Sequence, residues 1–213
     1  MATDAQVAQA RAAVYDFLAA LFTYHYELDE VQERLTRRIP RVQAAVEVLR
    51  ERGYHLDERG VLAAVRQITA IEDLTDLQAE HVALLDMPSP GGRSAPLESV
   101  QRHGVVHPET LAALEAFYRT FGVALAPDAE VPGDHCSVEL AFMGFLAFQE
   151  AVAHGQGAGG EPYKEAQATF LRDHLLGWLP RWLAHVAERT AHPYFRAAAR
   201  LARQVLEQDA ELA

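Results

Sequence analysis

Three polar residues beside a strongly apolar segment have the types and spacing to do chemistry: Asp134, His135 and Glu139. His135 and Glu139 are four residues apart, which puts them one turn apart on the same face of a helix. Asp134 is predicted to cap that helix, because its carboxylate can accept from free N–H groups of the first turn. Residues 138–148 are apolar all round the helix, which is typical of the buried centre of a bundle. The sequence therefore predicts a polar cluster at the start of a core helix.

A metal-binding enzyme is one interpretation of this cluster. The chain has ten histidines, but the Glu-x-x-His spacing of di-iron bundles and the His-Glu-x-x-His spacing of zinc proteases are both absent. His135 and Glu139 would need a further ligand, for which His174 is the candidate. An all-α small-molecule or metal-binding enzyme using Asp134, His135, Glu139 and His174 stays open at this point.

Cys136, the one cysteine, is a second candidate for chemistry. A helix N-terminus can lower the pKa of a thiol. Adjacent residues on a helix point about 100° apart, however, so His135 is poorly placed as the base for this thiol. A small buried side chain is the simpler interpretation. One cysteine also excludes an intramolecular disulfide, which fits a reducing compartment.

Bulk composition narrows the possible partners. The chain has 213 residues, half of them hydrophobic, and a formal net charge of −11, which disfavours nucleic acid and a transcription regulator. The N-terminus has no basic leader followed by an apolar segment, so no secretory signal is predicted. The longest apolar stretch, residues 140–148, is far short of the roughly 20 residues that cross a bilayer. We therefore expect a cytoplasmic protein without membrane insertion.

Helix start and stop signals recur along the chain, whereas the alternation of apolar and polar residues that is typical of strands does not. We predict one all-α domain, residues 1–213, built as a bundle of about nine or ten helices. The predicted helices cover residues 4–24, 28–39 and 40–53, then two capped by Asp57 and Asp73, one from Pro108 to near Gly122, one from Asp134 to near Gly155, and three opened by Pro162, Pro180 and Pro193.

Two breaks interrupt this pattern. Residues 87–107 hold three prolines and three glycines and are predicted to be an ordered loop or hinge. Residues 155–160 hold four glycines and are predicted to be a flexible connection. A hinge there would let helices pass between two copies, so we expect a monomer or a helix-exchanged dimer.

A second Asp-His pair, Asp173-His174, lies among apolar residues in the helix opened by Pro162, and the two pairs could meet at one polar cleft.

Four segments together resemble the TorD/DmsD/NarJ family of molybdoenzyme maturation chaperones. They are Glu130-x-Pro132-x-Asp134-His135-x-x-x-Glu139-Leu140-x-Phe142-Met143, the first helix around Arg11-Ala-Ala-Val-Tyr15-Asp-Phe-Leu18, Pro96-Leu97-Glu98-Ser99-Val100, and Phe170-Leu171-Arg172-Asp173-His174-Leu175 with Trp178 and Pro180. Gln101, where the family often has tyrosine, and Cys136, where an aliphatic residue is commoner, depart from the pattern.

The resemblance implies a TorD-like all-helical fold without catalysis, cofactor or metal. It implies a cytoplasmic chaperone that binds the N-terminal leader, often twin-arginine, of the apo catalytic subunit of a molybdopterin oxidoreductase. The chaperone would hold this partner until the molybdenum cofactor is inserted and so prevent premature export. The client-binding residues implied are Pro96, Glu98, Ser99, Asp134, His135, Glu139, Asp173, His174 and Trp178.

Such a leader fits the chemistry of these residues. The carboxylates of Glu98, Asp134 and Glu139 could pair with arginines through charge-assisted hydrogen bonds. The apolar part of the leader could dock as a helix in a groove. His135 would orient one carboxylate, and its protonation would tune the site near neutral pH.

Overall fold

The computed structural model describes residues 1–71, 73–86 and 95–212, and helix is their dominant structure. The α-helices are α1 Asp4–Leu21, α2 Leu28–Arg34, α3 Ile39–Arg50, α4 Arg59–Ile71, α5 Thr75–His81, α6 Glu98–His103, α7 Pro108–Thr120, α8 Cys136–Gly155, α9 Glu161–Phe170, α10 Leu179–Arg189 and α11 Pro193–Leu212. Within these ranges, extended pairing consists of one isolated antiparallel bridge between Leu97 and His135. The prediction of an all-α fold is confirmed.

The central pair of the bundle is α1 against α8. Alanines make up much of the buried side of α1, which lets the two backbones approach closely. Gly144 lies at the crossing, where a Cβ atom would stand 3.3 Å from both Tyr15 Cβ and Asp16 N. The remaining helices surround this pair, and the buried apolar side chains form one contiguous cluster.

Proline places several helix starts as the sequence predicts. Pro108 and Pro193 are the first residues of α7 and α11, while Pro40, Pro162 and Pro180 are second in α3, α9 and α10. Proline is tolerated there because the N–H groups of the first turn have no partner within the helix. The predicted single helix over residues 28–39 is wrong, since α2 ends at Arg34 and a 3₁₀ turn, Thr36–Arg38, leads into α3.

Three further boundaries differ from the predictions. α1 ends at Leu21 rather than at residue 24, and α4 begins two residues after Asp57. Asp73 accepts from Thr75 N at 2.8 Å, but Leu74 takes the N-cap position of α5. These boundaries move by one to three residues, as expected where tertiary contacts compete with local signals.

The two predicted breaks are only partly loops. The six-residue helix α6 lies within residues 87–107, and residues 87–94 lie outside the described part of the chain. At residues 155–160, Gly157 and Gly159 have φ of +73° and +74°, which favours glycine. The hinge and the helix exchange proposed for this connection stay predictions.

α8 contradicts the estimate made from residues 140–148. The whole helix is 20 residues long, and among the described helices it is the one whose length and composition would allow it to cross a membrane. However, 61% of its most apolar 18-residue window is buried inside the protein. Such burial is typical of the core helix of a bundle, and it agrees with the packing of α8 against α1.

Candidate functional site

Two segments far apart in sequence join at the start of α8. Cys136 N donates to Pro96 O at 2.8 Å, and Glu98 N donates to Asp134 O at 2.9 Å. The carboxylate of Asp134 accepts from Ser99 N at 3.0 Å. Asp134 therefore caps the first turn of α6, and the prediction that it caps its own helix is wrong.

The N-cap of α8 is His135. Its backbone is extended, with φ −74° and ψ 139°, and its Nδ1 accepts from Ser137 N at 3.2 Å. The same ring nitrogen lies 2.7 Å from Ser137 Oγ. Burial lowers the pKa of His135 to about 4, so the ring is neutral at pH 7. The expectation that His135 titrates near neutral pH is wrong, because the ring is 7% exposed.

Replacing His135 with asparagine should reduce the loss of stability in mild acid. Below pH 6.5 the unfolded chain binds a proton at His135, but the folded chain does not until about pH 4, so stability present above pH 6.5 falls through that window. At pH 5 this linkage costs about 2 kcal/mol. Asparagine keeps a cap and cannot titrate.

Urea denaturation between pH 7.5 and 5 measures the effect. Burial also lowers the pKa of His25 to about 4 and lowers that of His192, so His135→Asn should lose only part of the slope. His55→Asn, at an exposed ring, serves as the matched control. An unchanged slope in His135→Asn would show that the ring is accessible to protons in the folded state.

The second Asp-His pair, Asp173-His174, lies in a π-helical turn that brings it to the same polar cluster. After α9, residues Leu171–Leu175 form a π-helical turn, and the Nδ1 of His174 lies 3.1 Å from Glu98 Oε2. The carboxylate of Asp173, in contrast, is at the surface and pairs with Arg172 at 2.7 Å. The two Asp-His pairs therefore meet through α6, with His174 contributing its ring and Asp173 only its backbone.

Glu139 lies deepest in the cluster. Its Oε2 accepts from Trp178 Nε1 at 3.3 Å. Burial raises the pKa of Glu139 well above its usual range, and the charges of Glu98 and Asp134 raise it further. Both effects favour the protonated form of this carboxyl, which weakens it as a partner for a cation. The side chains of Glu98, Asp134 and Glu139 all face inward, with exposures of 0 to 1%.

The structure thus brings eight of the nine predicted site residues into one cluster by their hydrogen bonds and burial. They are Pro96, Glu98, Ser99, Asp134, His135, Glu139, His174 and Trp178. In this conformation the cluster ties α6 to the starts of α8 and α10. It lies beneath the surface and positions the elements around it.

An apolar groove lies next to the cluster; a groove for the apolar part of a leader was expected, but its position was not predicted. It encloses about 520 Å³ between α1, the α2–α3 region, the end of α7 and α8. Its lining includes Ala19, Ala20, Thr23, Tyr118, Val123, Ala124, Leu125, Ser137, Val138, Ala141, Phe142 and Phe145, with Asp16, Arg34 and Arg38 also contributing. Along α8 the groove begins at Ser137, two residues after His135.

The groove exists because one face of α8 is open. Val138 and Phe145 are half-buried and Ala141 is exposed, while Phe148, one turn further, is 47% exposed. The prediction that α8 is buried on every side is therefore wrong along this stripe. Spacings of three and four residues were present in the sequence, but apolar residues on the other faces concealed them.

The enzyme interpretations lack support in the described part of the chain. Burial raises the pKa of Cys136 well above its usual range, and the charge of Glu139 adds to this effect, so the thiol is not an activated nucleophile. His135, Glu139 and His174 bond to three different partners. Residues 1–71, 73–86 and 95–212 contain no group of three or more His, Cys, Asp or Glu side chains able to hold a metal ion.

Comparison with known families agrees with this geometry. A family model described as the nitrate reductase delta subunit matches residues 53–184, which include α6, the Asp134-His135 pair and the π-helical turn. The chain belongs to the TorD/DmsD/NarJ family. Family membership agrees with the all-α fold and with the resemblance carried by the Asp-His segment.

Several relatives of the chain are named as assembly chaperones. The perchlorate reductase assembly chaperone protein of Dechloromonas aromatica (strain RCB) is 30% identical over 132 residues, 62% of this chain and 59% of the relative. The selenate reductase assembly chaperone protein of Thauera selenatis is 34% identical over 109 residues, 50% and 55% of the two chains. Both matches span less than two thirds of the relative's length.

The similarity to TorD is lower but longer. The chaperone protein TorD of Vibrio vulnificus (strain YJ016) is 25% identical over 199 residues, 90% of this chain and 88% of the relative. These names describe chaperones rather than enzymes, which supports a non-catalytic role for the family.

Proposed function

We propose that the chain is a cytoplasmic assembly chaperone for the catalytic subunit of a molybdopterin oxidoreductase. It binds the N-terminal leader of the apo subunit and holds that subunit until the molybdenum cofactor is inserted, which delays export. Family membership and the names of the relatives support the chaperone role. The leader, its paired arginines and the cytoplasmic location extend the proposal beyond these comparisons.

The observation that carries the proposal is the apolar groove beside the start of α8. A leader contains an apolar stretch, and such a stretch buries its apolar face best as a helix in a groove. The exposed side of α8, with Ala141 between Val138 and Phe145, offers that surface. A net charge of −11 also favours a positively charged leader over an acidic one.

In this proposal Asp134 and His135 position the groove. Asp134 caps α6, and His135 caps α8 where the groove begins. Their removal would loosen the junction of the two helices, so client binding would suffer without direct contact between their side chains and the leader.

Replacing Ala141 with glutamate should weaken leader binding by about tenfold or more. A bound leader would bury the new carboxylate in an apolar interface, and desolvating that charge costs free energy. Ala141 is exposed, so the unbound fold should tolerate the change. Isothermal calorimetry with a synthetic leader peptide, carrying two consecutive arginines followed by an apolar stretch, measures the effect.

Ala44→Glu is the matched control. Ala44 is exposed on α3 and does not line the groove. The control should bind the leader as the parent chain does. Equal affinity in Ala141→Glu and Ala44→Glu would place the leader elsewhere, and no binding to the parent chain would refute the proposed function itself.

A further inference from the structure

Arg102 occupies a cradle shaped for a guanidinium group. Its Nε lies 2.9 Å from Glu98 Oε1, and its Nη2 donates to Asp173 O at 2.5 Å and to His174 O at 3.2 Å. The flat side of the guanidinium lies on Gly177, where a Cβ atom would come within 2.6 Å of Nη2 and 3.1 Å of Cζ. One carboxylate, two carbonyls and a glycine therefore enclose a single planar cation.

The π-helical turn makes the two carbonyls available. Leu176 N bonds back to Leu171 O, and Trp178 N bonds to Leu175 O. In a regular helical turn these two N–H groups could donate to Asp173 O and His174 O instead. A π-type turn thus leaves acceptors pointing out of the helix, as such turns often do at binding sites.

The cradle combines a fixed acceptor with an accessible entrance. Glu98 is 1% exposed and is held from its other side by His174 Nδ1. The side chain of Arg102 is 32% exposed and belongs to the six-residue helix α6. A planar guanidinium with several N–H donors fits this set of acceptors better than an ammonium does. When Arg102 swings outward, the cradle faces solvent.

We propose that this cradle is an arginine-binding site and that Arg102 is its built-in occupant. A leader arginine displaces Arg102, takes the Glu98 carboxylate and the two carbonyls, and so adds arginine selectivity to the apolar contacts of the groove. The identity of the incoming arginine rests on the proposed function, but the affinity of the cradle for guanidinium does not.

Two variants test the cradle. Arg102→Ala empties it, so the leader should bind roughly tenfold more tightly than to the parent chain, because no internal arginine competes. Gly177→Ala fills it with a methyl group while keeping Arg102 in the chain, so binding should no longer distinguish arginine from lysine in the leader. Arg181→Ala, which removes a contact to Gln101 O beside the cradle, is the control and should change neither property.

A small-molecule probe separates the cradle from the proposed function. Ethylguanidinium should raise the melting temperature of Arg102→Ala but not of the parent chain or of the double variant Arg102→Ala/Gly177→Ala, and ethylammonium should raise none of them. A response to ethylguanidinium with no leader binding by any chain would keep the cradle and refute the chaperone proposal.

The cradle is refuted by either of two results. In the first, the parent chain binds the leader but ethylguanidinium does not raise the melting temperature of Arg102→Ala. The other, which applies even if Arg102→Ala does not fold, is that Gly177→Ala discriminates between arginine and lysine leaders as well as the parent chain does.

Discussion

Replacing Asp209 with alanine should lower the free energy of unfolding by about 3–5 kcal/mol, because Arg11 loses its nearest carboxylate and keeps only Glu150 at 3.8 Å, and two buried tyrosine hydroxyls lose their acceptor. Asp209 is 2% exposed. Its Oδ2 accepts from Arg11 Nη2 at 2.6 Å and from Tyr15 OH at 2.7 Å, and its Oδ1 accepts from Tyr54 OH at 2.5 Å. One carboxylate therefore ties α11 to α1 and to the segment after α3.

Electrostatics keep the donors of this network protonated. Burial lowers the pKa of Arg11, but the charge of Asp209, the phenols of Tyr54 and Tyr15 and the hydrogen bond to Asp209 together raise it. Burial, followed by the charge of Asp209, raises the pKa values of Tyr15 and Tyr54. Both phenols therefore stay protonated and donate to the carboxylate.

Urea denaturation at pH 7 measures the effect of Asp209→Ala. Glu207→Ala is the control, since Glu207 lies two residues earlier, is half-exposed and pairs with the half-exposed Arg203 at 2.6 Å. It should change stability by less than about 1 kcal/mol. Asp209→Asn should fall between the two, because the amide keeps an acceptor but not the charge. If Asp209→Ala unfolded at the same urea concentration as Glu207→Ala, the network would not stabilise the fold.

Local sequence signals predicted those structural features that depend on residues close together in the chain, such as helix starts. Prolines marked the first turn of α7 and α11, and the apolar spacing of residues 138–148 placed α8. The pattern could not show the partner of Asp134, because the capping preference of an aspartate is the same whether the free N–H groups belong to its own helix or to another. Ser99 is brought there by a bridge between residues 97 and 135 that no local pattern encodes.

The candidate site divides in the same way. Its composition was predicted, since eight of the nine residues assigned from the family resemblance lie in one cluster. Its exposure was not, because burial depends on packing by helices elsewhere in the chain. Arg102 was missed because its contacts are with carbonyls 71 and 72 residues away. The position of the groove was missed because a helix that is apolar all round gives no sign of which face stays open.

In our proposal the groove and the cradle recognise two different parts of a leader. The apolar groove selects by shape and hydrophobicity, which many segments satisfy. The cradle selects a planar cation held by a buried carboxylate, which few segments satisfy. Asp134, as the cap of α6, and His135, as the cap of α8, connect the two surfaces. Arginine selectivity and groove affinity should therefore be lost separately in Gly177→Ala and Ala141→Glu.

Replacing Gly144 with leucine should destabilise the fold by about 3 kcal/mol, at the upper end of the usual cost of overpacking a core. A Cβ at this position already stands 3.3 Å from Asp16 N and Tyr15 Cβ, and 3.4 Å from Ala12 O. Two of these atoms are backbone atoms of α1, so they cannot move aside without moving the helix. The remaining atoms of leucine would push apart the central helix pair.

A series of side chains at this position distinguishes crowding from helix propensity. Gly144→Ala adds one methyl group at the limit of close contact and should cost less than leucine does, whereas propensity alone would favour alanine over glycine by about 1 kcal/mol. Gly155→Ala, at the end of the same helix with nothing within 4 Å of the added Cβ, is the control and should be neutral or stabilising. Thermal and urea unfolding of the three variants measure the order. If Gly144→Leu were as stable as Gly155→Ala, α1 and α8 would not pack as closely as the structure shows, and the groove that both helices line would lose its fixed walls.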